Sequence, residues 1–255
     1  MPDIEREMIP EYRQDFHIIY VLDTSASMLG ERMDALNCAM EESVQTLREA
    51  AENLADYRLM FSVLEFNTTC RWISTHGPQE VNESLFWEPL QAGGMTNIGE
   101  ALLELDSKLS RRAFMDCPHG CMRPFIIFMS DGHACDRYQT ALEKIRHNHW
   151  FSHAWKIGFS LGDNADPSML ASITGSDEHV LNTWDPQLFR KLLHNVSYAI
   201  PRRISPGSDA SFPKEVINLV TQGLGEDVRI QLKPCSYSPE PNPEIPDWKY
   251  DDTWE

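Results

Sequence analysis

The chain has 255 residues, of which 42% are hydrophobic, and it carries a formal net charge of −17 with a pI near 4.9. This length suffices for one domain with a well-buried core, with or without a tail, and disfavours a second full domain. Such an acidic chain repels phosphate backbones and anionic lipid surfaces, so we expect neither nucleic acid nor a membrane as its partner. The sequence contains no run of roughly 18 apolar residues and no apolar segment after a basic start, which predicts a soluble, unexported protein.

Apolar runs alternate with amphipathic patterns along the chain. Strands are predicted at 16–22, 57–66, 124–130 and 153–161, with shorter strands at 70–75 and 178–182. Helices are predicted at 31–54, 97–112, 136–147, 167–173 and 186–198, where apolar side chains recur at steps of three and four. This alternation predicts an α/β fold, a doubly wound and mostly parallel sheet with helices on both faces.

The character of the sequence changes at about residue 201, because half of the 16 prolines fall in 201–255. We therefore predict three parts: an N-terminal extension (1–14), one domain (15–200) and a Pro-rich, acidic C-terminal extension (201–255). The last part is interpreted as an extended segment packed across the domain, or alternatively as a strip that binds a partner. Within it, 215–220 and 227–232 have the pattern of short added elements.

Three loops carry oxygen ligands toward the carboxyl edge of the predicted sheet, where ligands collect in such folds. Asp23, Ser25 and Ser27 follow the first strand. Thr96, which stands before a predicted helix where it can cap the helix, lies in "AGGMTNIGEAL", and Asp131 lies in "FMSDG". Each loop alone is an ordinary cap or turn, but the three together indicate one shared site.

These loops resemble the von Willebrand factor A family and its metal-ion-dependent adhesion site. The Asp-x-Ser-x-Ser motif of the family is matched by Asp23, Ser25 and Ser27, its threonine by Thr96 and its aspartate by Asp131, although Ala26 stands where many members carry glycine. The resemblance extends over roughly residues 15–200. Within the family, "RPFIIFMSDG" and "LGDNADPSMLASITG" are most similar to the bacterial TerY-like branch.

The resemblance implies a site for Mg²⁺, or alternatively Mn²⁺, that docks another protein. The hydroxyls of Ser25, Ser27 and Thr96 are hard neutral ligands, and Asp23 and Asp131 would hold metal-bound waters. A carboxylate of the partner would take the open position, so the expected function is an interaction module and not an enzyme. The TerY-like branch implies the bacterial cytoplasm, a stress-response or phage-defence system, and a protein kinase and a metal-dependent protein phosphatase as partners.

Two other functions stay open at this point. The domain could instead regulate an ATPase of the MoxR type, as an adaptor for its assembly. It also has the strand-ending aspartate of haloacid-dehalogenase phosphohydrolases, in which Asp23 would be the nucleophile. That chemistry needs a second carboxylate two positions later, where Ser25 stands, so the acid/base step has no donor.

The six cysteines are too dilute for a disulfide framework and are expected to be mostly free thiols. Five possible zinc ligands nevertheless lie close together in sequence: Cys117, His119, Cys121, His133 and Cys135. The predicted strand 124–130 separates the first three from the last two, so we expect ordinary loop residues and no shared zinc ion.

Overall fold

The computed structural model describes residues 13–222, apart from 56, 75, 163, 164, 184 and 205–207. Within them, seven strands form one sheet: β1 (Gln14–Asp23), β2 (Tyr57–Phe66), β3 (Cys70–Trp72), β4 (Gln79–Glu80), β5 (Phe125–Ser130), β6 (Trp155–Leu161) and β7 (Val180–Thr183). The helices of this part are α1 (Glu31–Ala51), α2 (Ile98–Lys108), α3 (Tyr138–Arg146), α4 (His149–His153), α5 (Pro167–Thr174), α6 (Pro186–Arg203) and α7 (Phe212–Gln222).

The strand order is β3-β2-β1-β5-β6-β7, and β4 pairs with β2 on the same side as β3. β1, β2, β5, β6 and β7 are parallel, whereas β3 and β4 run antiparallel to β2. The central strands β1 and β5 are nearly continuous apolar runs, as strands covered on both faces require. The predicted α/β fold class is confirmed.

Helices cover the two faces of the sheet and divide the core into two layers. Alternate side chains of β1, such as Tyr20 and Leu22, pack with α1, α6 and α7 on one face. The intervening side chains, such as Ile19 and Val21, pack with α2, α3, α4 and α5 on the other. β1 therefore lies at the centre of the molecule, and its last residue is placed by contacts on every side.

Two helices begin at an Asp-Pro pair. Asp166 and Asp185 each accept hydrogen bonds from two backbone N–H groups in the first turn of α5 and α6, respectively. The following prolines, Pro167 and Pro186, occupy the first helical position, where no N–H partner is required. Both helices start just beyond the carboxyl ends of β6 and β7, so their starts lie along the edge where the predicted site lies.

Some predicted boundaries were wrong. The helix predicted to residue 54 ends at Ala51, and the helix predicted to 112 ends at Lys108, because the Asn148 side chain donates to the carbonyls of Asp106 and Leu109 beside that helix end. β4 and α4 were not predicted. Residues 215–220 form part of α7, which packs on the core, while 227–232 and the rest of the tail lie outside the described residues. None of the helices in the described part is long and apolar enough to cross a bilayer.

Candidate functional site

β1 ends in an aspartate that is held rigidly inside the protein. Asp23 is fully buried; its Oδ1 accepts the backbone N–H of Ser25 at 2.8 Å, and its Oδ2 accepts the hydroxyl of Ser130 at 2.6 Å. Burial raises the pKa of Asp23, the hydrogen bonds from Ser130 and Ser25 oppose that rise, and the nearby charge of Asp131 adds to it. Both carboxylate oxygens therefore have a hydrogen-bond partner, while burial makes the ionised form of Asp23 energetically costly.

The loop after β1 turns back on itself, so that two serine hydroxyls lie side by side. A short 3-10 helix (Ala26–Met28) buries Met28 and leaves Ser27 exposed above it. The Oγ atoms of Ser25 and Ser27 are 2.9 Å apart, and the Ser27 hydroxyl donates to Oδ1 of Asp131 at 2.6 Å. The loops after β1 and β5 are thus joined through side-chain oxygens.

Backbone hydrogen bonds tie the second loop to the first. The N–H of Gly93 donates to the carbonyl of Thr24 at 2.8 Å, and the N–H of Ala26 donates to the carbonyl of Gly94 at 3.0 Å. These two bonds hold the segment that leads to Thr96, whose side chain is buried. The N-cap residue of α2 is Asn97, so the prediction that Thr96 caps this helix was wrong.

Gly94 is required where the second loop turns. Its φ of +82° lies in the left-handed region, and a Cβ there would lie 2.6 Å from Oγ1 of Thr68. The same Thr68 Oγ1 accepts the N–H of Met95 at 2.9 Å, which fixes the residue before Thr96. The position of Thr96 therefore follows from local backbone chemistry.

Gly132, in the third loop, lies beside the hydroxyls of Thr96 and Ser27. A Cβ on Gly132 would lie 3.5 Å from Oγ1 of Thr96 and 3.7 Å from Oγ of Ser27. Both hydroxyls are therefore close to Gly132 and to the third loop. The structure thus brings together all five of the predicted residues: Asp23, Ser25, Ser27, Thr96 and Asp131.

An arginine that the sequence did not single out completes the group. Nη1 of Arg32, in the first turn of α1, donates to Oδ2 of Asp131 at 2.6 Å and to the carbonyl of Ser27 at 3.1 Å. The Asp131 side chain is 0% exposed, whereas that of Arg32 is 37% exposed. The arginine partly offsets the negative charge of the site. Nothing in its sequence spacing indicates this role.

The entrance to the site has apolar side chains beside its polar ones. Leu29, two residues after Ser27, is 65% exposed, and Met95, the residue before Thr96, is 53% exposed. An apolar side chain this exposed loses the stabilisation that burial would provide. Both side chains lie within two residues of the oxygen cluster in the chain and are open to solvent.

The cysteine and histidine groups on either side of β5 are far apart, as predicted. Cys121 precedes this strand, whereas His133 and Cys135 follow it. Nδ1 of His133 lies 3.5 Å from Oδ2 of Asp166. The five residues named from the sequence therefore do not share a metal ion.

A family model, the von Willebrand factor type A domain, matches residues 17–195. The chain belongs to this family. The three loops and the five clustered residues described above all lie within the matched range. No curated protein sequence matches the chain at a significant level.

Solved structures of this family share the fold at low sequence identity. A von Willebrand factor type A protein from Catenulispora acidiphila is 17% identical, with a TM-score of 0.53 over 73% of this chain and 42% of its own. Proximal thread matrix protein 1 of the mussel byssus, with zinc in its metal-ion-dependent adhesion motif, is 16% identical, with a TM-score of 0.51 over 75% and 47%. The pilus adhesin SpaC of Lactobacillus rhamnosus GG is 11% identical, with a TM-score of 0.56 over 74% and 30%. The chain spans less than half the length of each of these proteins.

Proposed function

We propose that the chain is a metal-dependent protein-interaction module. Ser25, Ser27 and Thr96 would bind one divalent cation directly, and Asp23 and Asp131 would hold waters bound to it. The observation that carries this proposal is that the hydroxyls of Ser27 and Thr96 lie beside Gly132, with the Ser25 hydroxyl 2.9 Å from that of Ser27. A buried carboxylate from each of β1 and the loop after β5 lies next to them.

The donor atoms favour Mg²⁺, with Mn²⁺ as the alternative. All five side chains offer hard oxygen atoms, which suit these ions better than softer metals. Because the three hydroxyl ligands are neutral, the cation would keep much of its charge toward the open position. A carboxylate of another molecule is the natural ligand there, and it would make a charge-assisted contact that water does not match.

Binding is favoured over catalysis because Asp23 is poorly placed to react. Both of its oxygens accept hydrogen bonds, and the residue is 0% exposed. The group two positions later is Ser25, which hydrogen-bonds Ser27 and offers no carboxyl proton. These contacts weigh against the phosphohydrolase alternative, in which Asp23 must attack a phosphorus atom.

The apolar rim favours a protein as the partner. Leu29 and Met95 flank the oxygen cluster, so a bound surface would bury apolar area around a central ionic contact. The resemblance to the TerY-like branch suggests a protein kinase or a metal-dependent protein phosphatase as that partner, in the bacterial cytoplasm and in a stress-response or phage-defence system. An ATPase of the MoxR type is the alternative partner.

Metal dependence of capture tests the proposal. The full chain is used as bait in lysate of the native cell, with Mg²⁺ and then with chelator, and each captured protein is titrated in Mg²⁺, Ca²⁺ and chelator. We expect tight binding in Mg²⁺, weak binding in the larger Ca²⁺ and none in chelator.

Matched variants separate the site from the fold. Thr96→Ala, Ser25→Ala and Asp131→Ala should each abolish capture and Mg²⁺ binding by calorimetry. Ser152→Ala, at the opposite edge beside the start of β6, should leave both unchanged. Equal affinity in all three media, or an unaffected Thr96→Ala, would overturn the proposal.

A further inference from the structure

A second group of ligand-type side chains lies at the amino edge of the sheet, opposite the site described above. His17 stands in β1, just before the residue that first pairs with β5, and it is 1% exposed. Cys117 and Cys121 lie in the loop that leads into β5 and are half-buried. One ligand atom from each of the three residues lies within 4.8 Å of the other two.

We propose that His17, Cys117 and Cys121 bind one Zn²⁺ ion. One imidazole and two thiolates form the soft N/S donor set that selects zinc, whereas the oxygen cluster at the other edge suits hard cations. The Cys-x3-Cys spacing also lies within the range of zinc-binding loops. Sequence inspection paired these cysteines with His133 and Cys135 and missed His17, which lies 100 positions before Cys117.

The distances agree with tetrahedral coordination. With Zn–S of about 2.3 Å and Zn–N of about 2.0–2.1 Å, a tetrahedral site separates nitrogen from sulfur by about 3.6 Å and sulfur from sulfur by about 3.8 Å. Nε2 of His17 lies 3.5 Å from Sγ of Cys117. The outer limit of 4.8 Å for the group exceeds the ideal sulfur–sulfur separation by only about 1 Å.

The backbone places the two thiols against β1. The N–H of Asp15 donates to the carbonyl of Gly120 at 2.9 Å, and the N–H of Met122 donates to the carbonyl of Asp15 at 2.9 Å. A turn closed by the N–H of Gly120 on the carbonyl of Cys117, at 3.1 Å, brings the cysteines together. Gly120 has a φ of +98°, which the turn requires. Since these bonds fix the loop, zinc would find its ligands already assembled.

The surroundings set the charge state of the ligands. Burial lowers the pKa of His17 to about 4, so its imidazole is neutral at physiological pH, as a metal ligand must be. Contact with Cys117 and burial raise the pKa of the Cys121 thiol, so it is protonated without a cation. Zinc binding would replace the two thiol protons, which pass to solvent, and form two Zn–S bonds.

The nearby carboxylate is already engaged. Oδ1 of Asp15 accepts a hydrogen bond from Nε of Arg58 at 2.7 Å, and Oδ2 accepts one from Nη2 of Arg58 at 2.8 Å. Three protein side chains would therefore bind the zinc ion, and the fourth position would be open to water. In this arrangement the ion would join the loop before β5 to β1.

Cobalt substitution in the full chain tests the site. The protein carries Asp23→Ala, so that the oxygen cluster does not contribute, and it is reduced, stripped with chelator and titrated with Co²⁺ and then Zn²⁺. We expect one equivalent of Co²⁺ to produce a thiolate-to-cobalt charge-transfer band, which Zn²⁺ then removes. Cys117→Ser and Cys121→Ser should each abolish the band and lower Zn²⁺ affinity by more than about 100-fold.

Controls keep the result interpretable. Cys38→Ser, an exposed thiol on α1, should retain the band and the affinity. His17→Gln replaces a buried residue, so the fold of this variant is checked by circular dichroism. If it does not fold, Cys117→Ser, which changes a half-buried residue, tests the site. Absence of the band, a band that survives Cys117→Ser, or a thiol count showing a Cys117–Cys121 disulfide under reducing conditions would overturn the proposal.

Discussion

Replacing Asp23 with asparagine should remove metal binding while leaving the metal-free fold almost as stable as before. The amide of Asp23→Asn is nearly the same shape as the carboxylate. Its oxygen can still accept the N–H of Ser25, and its NH₂ group can donate to Ser130, whose hydroxyl then turns to act as acceptor. The variant therefore changes the charge of the site and preserves its hydrogen bonds.

The expected change without metal is small because two effects oppose each other. Two charge-assisted hydrogen bonds become neutral ones, a loss of about 1 kcal/mol each. Against this, the variant no longer buries a charge, and it removes the repulsion from Asp131 that helps to raise the pKa of Asp23. We expect the free energy of unfolding to change by no more than about 1–2 kcal/mol.

Metal should stabilise only the wild-type protein. At a Mg²⁺ concentration 100 times Kd, binding to the native state adds about 2.7 kcal/mol to the free energy of unfolding. For a domain of this size, about 1 kcal/mol corresponds to roughly 2–4 °C in Tm, so the wild type should gain about 5–11 °C. The Asp23→Asn variant should gain none.

Thermal unfolding followed by circular dichroism, with and without Mg²⁺, measures both quantities. Asp116→Asn, an exposed aspartate in the loop before β5, is the control and should behave as wild type. The reasoning is refuted if Asp23→Asn gains the same Tm shift from Mg²⁺. It is also refuted if that variant loses more than about 3 kcal/mol without metal, since the carboxylate would then hold the fold together by itself.

Three further changes test other contacts. Arg32→Met should lower the Kd for Mg²⁺ by roughly 5–30-fold in calorimetry, because it removes a positive charge and an ion pair to Asp131 worth about 1–2 kcal/mol. An unchanged Kd would show that the arginine does not compete with the metal. Burial lowers the pKa of Lys156 from 10.5 to about 7, so the unfolded chain binds more protons between those pH values and stability should rise with pH there. Lys156→Met should remove that rise, at most about 5 kcal/mol, from urea denaturation at pH 7, 8.5 and 10, and parallel pH profiles for the two proteins would contradict this. Asn148→Ala should cost about 2–3 kcal/mol in the same assay, because its side chain caps α4 and donates to the carbonyl of Leu109, whereas Ser152→Ala should cost little.

The sequence allowed the main strands and the oxygen cluster to be predicted because both follow from periodicity and strand order. Apolar runs identified β1, β2, β5 and β6, and parallel strands place their carboxyl ends at one edge of the sheet. The loops with Asp23 and Asp131 follow two strands that are neighbours, so their approach required only that β1 and β5 pair. The metal itself stays a prediction, as does the division of the chain at residues 14 and 200.

Contacts that depend on register or on side-chain reach could not be predicted. Ser130 reads as one more residue of a buried strand, and only the pairing of β5 with β1 shows that it donates to Asp23. Arg32 has the pattern of an exposed residue in a first helical turn. His17 was a stronger signal than Arg32, because a histidine inside an apolar strand is uncommon. Its neighbours Cys117 and Cys121 are known only once the loop before β5 is placed.

The pairing of β1 with β5 also has a mechanical consequence. The proposed docking site is attached to the ends of two adjacent parallel strands, which are paired from Ile18 with Phe125 to Leu22 with Met129. A partner that pulls on this site pulls both strands lengthwise in the same direction. The load then falls on the hydrogen bonds that join this pair to β2 and β6, on all of them together and not on one at a time. β1 is paired with β2 along its other side, over ten residues from Gln14 to Asp23. Force applied at the site would therefore be spread across the centre of the sheet.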